Sequence, residues 1–239
     1  MSIAYKDSRF LQPISMLYSL LLMFVIIFTN KGMHYPFINF ASVTLPFTII
    51  LFVLGDITTE VYGYRKTLNI IIQSAILVII FTIVAALISK ITPTYVPTEW
   101  QQGTDQSAYY QVFRKTPFYM ATYIFSFLIA TYLNIRVISR WKILFNGRYF
   151  WLRSIGASGI GAFVFCILDR LDHFLIAPHY PFSEIVSLTV FSFFTKIIGF
   201  IILAYPANFI VRLLKAAENI NTYDYYENYN PFKKAPELK

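Results

Sequence analysis

The chain has 239 residues, of which 57% are hydrophobic, 19% aromatic and only 13% charged. A soluble domain carries about 25% charged residues, so this chain cannot wet the surface of a globule, and soluble, fibrous, disordered and disulfide-scaffold classes are excluded. Its net charge of +8 comes from 20 Lys and Arg against 12 Asp and Glu; in so apolar a chain, basic residues mark cytoplasmic loops rather than a nucleic-acid surface.

A membrane-crossing helix needs about 20 mostly apolar residues. Six stretches qualify, at Leu11–Thr29, Phe40–Glu60, Leu68–Ile88, Phe118–Ile135, Leu152–Leu168 and Phe182–Leu214. The fold class is therefore all-α, a polytopic membrane protein of six spans. The first stretch follows Lys6 and Arg9 but has no A-x-A-like cleavage site and precedes five more spans, so it is read as a retained helix. Span 1 ends at Asn30, a candidate ligand contact or a helix C-cap before Gly32. Span 2 contains Pro46, expected as a kink or an opening in the helix. Near its end come Asp56 and Glu60, four residues apart and so on one helical face.

The connection Ser89–Thr116 holds Trp100 and paired tyrosines, and is expected as an outer loop or short interfacial helix. Span 5 opens on Arg153 and a row of small residues, Ser154, Ser158 and Ala162, expected as a packing face. The Gly156-Ala157-Ser158-Gly159 stretch is similar to the serine motif of rhomboid proteases. Span 6 offers no histidine to activate it, so the protease reading is rejected and the chain is not expected to be an enzyme. The single cysteine, Cys166, lies in an apolar run and reports nothing about redox compartment. Span 6 carries Lys196 and then Pro206. No metal-ligand spacing or cofactor fingerprint occurs, and no cofactor is expected.

Basic residues set the orientation. With the N-terminus inside, fourteen Lys and Arg fall on the inner side and five on the outer, with Lys196 inside a span. Both termini are thus expected in the cytoplasm. Residues 1–218 are expected to form one transmembrane domain, and 219–239, rich in Asn and Tyr, a flexible cytoplasmic tail.

Ionisable groups inside spans are expensive, by some 2.5–3.5 kcal/mol on insertion scales. The expected resolution is a cluster of Asp56, Glu60 and Lys196 facing the bundle interior, net negative and able to accept a cation, a proton or a donor-rich ligand. The competing reading is an ion pair locking span 2 to span 6.

The run Gly55-Asp56-Ile57-Thr58-Thr59-Glu60-Val61-Tyr62-Gly63-Tyr64-Arg65 resembles the signature of the queuosine precursor transporters, the vitamin uptake transporter family of six-span proteins in the bacterial inner membrane. Thr29-Asn30, Arg153 with Ser158 and Gly161, and Lys196 ten residues before Pro206 agree in order. The resemblance implies import of a 7-deazaguanine-type heterocycle, with Asp56, Glu60 and Lys196 at the site and Asn30 and Arg153 as further contacts. It also implies a small-molecule partner and a lipid bilayer, and no nucleic acid; a homo-oligomer or a separate energising module is left open. The chain departs from the family pattern at Thr131, Asn134, Ala162 and Phe165, which bears on the ligand. The alternative is a non-transporting component, either the capture subunit of a larger transporter or a divergent scaffold.

Overall fold

The computed structural model describes residues 8–29, 31–35, 38–91, 106–170, 181–225 and 227–230. Six long helices form a bundle: α1 (Leu11–Phe28), α2 (Leu45–Tyr62), α3 (Tyr64–Ile88), α4 (Gln106–Leu144), α5 (Phe150–Asp169) and α6 (Phe182–Glu218). Each has a segment long and apolar enough to cross a membrane. The chain is a multi-pass, all-α membrane protein.

The division of labour among the helices follows from what each buries. On α1 only Tyr18, Leu22, Val25 and Ile26 are buried, a single stripe at the spacing of a helix with one face on a core. On α3 the buried set repeats in the same way, while Ile76, Leu77, Ile80, Ile83, Val84 and Leu87 point outward and are exposed. Such a surface is costly in water and matches hydrocarbon. Helix α2 is different: fourteen of its 18 residues are buried. It is the central helix, packed against all five others.

The chain departs from the expected spans at both ends of the bundle. Residues at the start of expected span 2 form an antiparallel hairpin instead, β1 (Gly32–Tyr35) and β2 (Ile38–Ser42). Ser42 joins the neighbouring helices there, donating to the Thr29 carbonyl at 2.8 Å and sharing a hydrogen bond with the Thr44 hydroxyl at 2.7 Å. Pro46 consequently falls in the first turn of α2, where a missing N–H costs nothing, and it makes no kink. Helix α4 runs through Pro117 and on to Leu144, carrying Arg136, Arg140 and Lys142 on a helix rather than in a loop. Helix α6 likewise passes Pro206 and ends four residues beyond the expected Leu214. The expected loop residues 92–105, with Trp100, lie outside the described residues.

Chain parity places the ends of α2, α4 and α6 and the starts of α3 and α5 at one end of the bundle. The start of α1 joins them there, because Phe10 N donates to Glu218 Oε1 at 2.6 Å. This is the Glu60 end; the hairpin marks the other.

Candidate functional site

The last two turns of α2 hold two carboxylates, and the bundle treats them differently. Asp56 is fully buried. Its Oδ1 accepts from Asn134 Nδ2 at 2.7 Å, and its Oδ2 accepts from Ser154 Oγ at 2.5 Å and Ser158 Oγ at 2.8 Å. All three partners are neutral. Ser154 and Ser158 stand one turn apart on α5 and so present their hydroxyls to the same neighbour. The close approach depends on Gly161, where a Cβ would come within 2.8 Å of the Phe52 ring and 3.0 Å of the Ala130 carbonyl. The small-residue row is thus more than the packing face expected of it, because its serines hold Asp56.

Glu60, one turn on, is enclosed by cations. Its Oε2 accepts from Arg153 Nη1 at 3.0 Å and its Oε1 from Lys215 Nζ at 2.6 Å, with Lys142 Nζ at 3.7 Å from Oε1. Lys142 Nζ also donates to the Glu60 backbone carbonyl at 2.6 Å. Arg153 is 1% exposed, and its Nε donates to the Arg148 carbonyl at 2.9 Å, which fixes the guanidinium from behind. One carboxylate here faces three cations. The expectation of a net negative cluster does not hold.

Lys196 does not join them. Its Nζ donates to Ser192 Oγ at 2.5 Å and to Cys166 Sγ at 3.6 Å, and lies 5.3 Å from the Phe165 ring centroid. The reason is axial distance. Ser158 and Cys166 are eight residues apart on α5, so at 1.5 Å per residue Lys196 meets that helix about 12 Å from Ser158, the nearer of the two serines at Asp56. The cation that α6 does bring to α2 is Lys215. The expected pairing of Asp56 and Glu60 with Lys196 is corrected accordingly. Of the sequence candidates, the structure brings together Asp56, Glu60 and Arg153 and leaves Lys196 in a separate buried centre; Asn30 lies outside the described residues.

An aromatic cluster fills the bundle beside Asp56. The Phe52 ring lies 5.9 Å from Phe127, 6.2 Å from Phe165 and 5.9 Å from Phe200, and Tyr123 stacks on Phe127 at 5.9 Å. Three side-chain polar atoms, Tyr18 Oη, Asn134 Oδ1 and Arg170 Nε, are buried with no hydrogen-bond partner among the described residues, and the Asn134 oxygen is on the side chain that touches Asp56. No group of His, Cys, Asp and Glu suited to a metal ion occurs among them either.

A family model described as "Putative vitamin uptake transporter" matches residues 41–211, a span that includes Asp56, Glu60, Asn134, Arg153, Ser154, Ser158 and Lys196. The chain belongs to the vitamin uptake transporter family. No curated protein and no solved structure matches it at a significant level. As a member of that family it is a membrane protein with a small-molecule substrate. Lys215 lies beyond the matched residues, so the third cation at Glu60 comes from a part of the chain that the family model does not describe. Lys142 and Lys215 at Glu60, like Asn134, Ser154 and Ser158 at Asp56, are not among the site candidates that the sequence offers. Both lysines sit just past the hydrophobic windows that define spans 4 and 6, where basic residues read as loop.

Proposed function

We propose that the chain imports a small, flat, polar heterocycle of the 7-deazaguanine type, a queuosine precursor, across a bacterial inner membrane. The observation that carries this reading is the buried carboxylate of Asp56, held in the central helix by neutral donors alone. A guanine-like edge offers adjacent N–H donors. A carboxylate oxygen can accept two hydrogen bonds, and among the described residues Asp56 Oδ1 has one partner. The second acceptor is Asn134 Oδ1, buried and unpartnered on the side chain that touches Asp56. Among the four departures from the family pattern, Asn134 is the one that reaches Asp56; Thr131 donates to the Phe127 carbonyl instead. The rings of Phe52, Phe127 and Phe165 supply faces on which a heterocycle stacks.

The Glu60 end gathers Arg65, Lys66, Arg136, Arg140, Lys142, Arg148, Arg153, Arg212 and Lys215. That concentration supports placing this end, and both termini, in the cytoplasm. Glu60 and its cations then form the inner gate, and Lys196 lies towards the outer mouth.

The test is uptake of a labelled 7-deazaguanine precursor by cells lacking their own transporter and synthesis, with this chain restored alone. Accumulation that is lost in Asp56→Asn supports the reading. Binding without accumulation identifies a capture subunit that needs an energising partner. Neither binding nor uptake sinks the proposal.

A further inference from the structure

Beyond α6 the chain turns back. Asn219 adopts a left-handed conformation, φ 53°, and residues 219–225 and 227–230 return across the Glu60 end of the bundle. Composition reads this segment as a flexible tail, yet it is tied down at each step. Thr222 N donates to the Val61 carbonyl at 3.4 Å, and the Thr222 carbonyl accepts from Lys142 Nζ at 2.6 Å. The same ammonium holds the Glu60 carbonyl, so one lysine links the segment to the gate.

Asp224 Oδ2 accepts from Tyr64 N at 3.0 Å and from Ser139 Oγ at 2.6 Å. Helix α3 has no side-chain cap of its own, and this carboxylate, 160 residues away in sequence, supplies one where the helix dipole favours negative charge. Gly63 makes room. Its φ is +88°, and a Cβ there would meet Asp224 Oδ1 at 2.8 Å and Thr222 Cγ2 at 2.9 Å.

Further on, Arg65 Nε donates to Glu227 Oε1 at 2.9 Å. The Tyr229 carbonyl accepts from Tyr132 Oη at 2.8 Å and Tyr64 Oη at 3.2 Å. Its ring lies beneath Arg140 at 4.9 Å, and its hydroxyl shares a hydrogen bond with Ser139 at 2.9 Å. Burial pushes the Tyr229 phenol above its ordinary pKa, which keeps that proton in place.

We propose that residues 219–225 and 227–230 are a latch that holds the Glu60 end of the bundle shut and that must come off before the polar centre opens on that side. The latch spans the ends of α2, α3 and α4, three helices that must part for such an opening. Its fastenings are polar and partly exposed, and such units open at a small fraction of the cost of a packed core. An open groove of about 450 Å³ is lined by residues 227–230 with Tyr132, Arg136 and Arg140, and within this stretch the Tyr229 ring is the part packed against the core. The proposal rests on the transport reading for its purpose, but its mechanics can be measured without substrate.

The test uses the full chain in lipid nanodiscs, with both faces open to solvent, and reads amide hydrogen exchange. One variant, Asp224→Ala with Tyr229→Ala, releases the latch. A second, Arg65→Cys with Glu227→Cys joined by a short cleavable bis-maleimide, fastens it. Release should speed exchange at residues 57–67 by about tenfold and leave α5 unchanged, and fastening should slow exchange there below wild type. Equal exchange at 57–67 in all three proteins overturns the proposal, as does an increase in the released variant that extends through α5. Uptake supplies the second arm. The fastened protein should not transport until the linker is cleaved, and normal transport while fastened makes the segment a staple and overturns the latch. If the unmodified chain moves no substrate, that result counts against the transport reading alone, and the exchange rates still decide whether this end opens as proposed.

Discussion

Asp56 and Glu60 stand one turn apart on the same buried helix, and their surroundings have opposite character. Glu60 is neutralised by full charges: Arg153, Lys215 and Lys142 leave it no freedom to take another partner. Asp56 is held by two hydroxyls and an amide, groups that rotate and re-pair at little cost. A carboxylate in ion pairs is built to stay; one held by neutral donors can exchange them for a ligand's. Under the proposed function the pair divides into a structural lock and a binding group, although the sequence motif presents them as equivalents.

The comparison breaks most visibly on stability. Glu60→Gln leaves three cations close together and partly desolvated, and removing one partner of a buried ion pair costs about 3–5 kcal/mol. Thermal unfolding in detergent should show a loss of that order, with reduced yield of folded protein. Unchanged stability would mean that the cations relax into water and that Glu60 is no lock.

Asp56→Asn should give the reverse pattern. The amide still fits among Ser154, Ser158 and Asn134, because hydroxyls can donate or accept, so unfolding should shift little. Uptake should fall by at least about tenfold, since the ligand's hydrogen bond to a charged group is lost at roughly 1.5–3 kcal/mol. A protein that unfolds but transports normally when cold would exchange the roles assigned to the two residues.

Ser154→Ala and Ser158→Ala sharpen the same point on a smaller scale. Each removes one donor to Asp56 while the other remains, and a drop in uptake of about tenfold apiece is expected from one charge-assisted hydrogen bond. The double variant should lose less than the product of the two, because both act through one carboxylate. If Ser158→Ala is silent, the serine row is packing alone.

The six spans and the burial of the Asp56–Glu60 face were legible because both are local signals: runs of apolar residues, and two costly charges four residues apart. Which partners each carboxylate takes was not. Arg153 and Lys215 fall close to Glu60 through helix length and register, and a hydropathy window ends α6 at Leu214, one residue short of the lysine that matters. Ser154 and Ser158 were visible at the right spacing, but a small-residue row has the same pattern whether it packs or donates. The hairpin at 32–42 was hidden by its apolar composition, which merges into the following span. The returning segment was hidden for the opposite reason: its Asn, Tyr and acidic residues resemble a solvated tail until the cations and tyrosines of the Glu60 end are placed beneath it.

The finest prediction concerns Lys196, the cation that sequence alone pairs with Asp56. Direct contact and distance differ in size. A buried pair in contact would show a coupling of about 3–5 kcal/mol in a double-mutant cycle. Two unit charges about 12 Å apart interact by roughly 1.4 kcal/mol at an effective dielectric constant of 20. The axial offset along α5 selects the second regime, so Asp56→Asn combined with Lys196→Met should destabilise nearly as much as the two singles added together. The residual coupling should not exceed about 1.4 kcal/mol. Thermal unfolding is the measurement to use, because the loss of uptake in Asp56→Asn leaves transport no room to report a partner. A coupling near the contact value would mean that the two helices slide by nearly two turns between states and bring Lys196 to Asp56, making that ammonium the counter-charge that the carboxylate acquires when its ligand leaves.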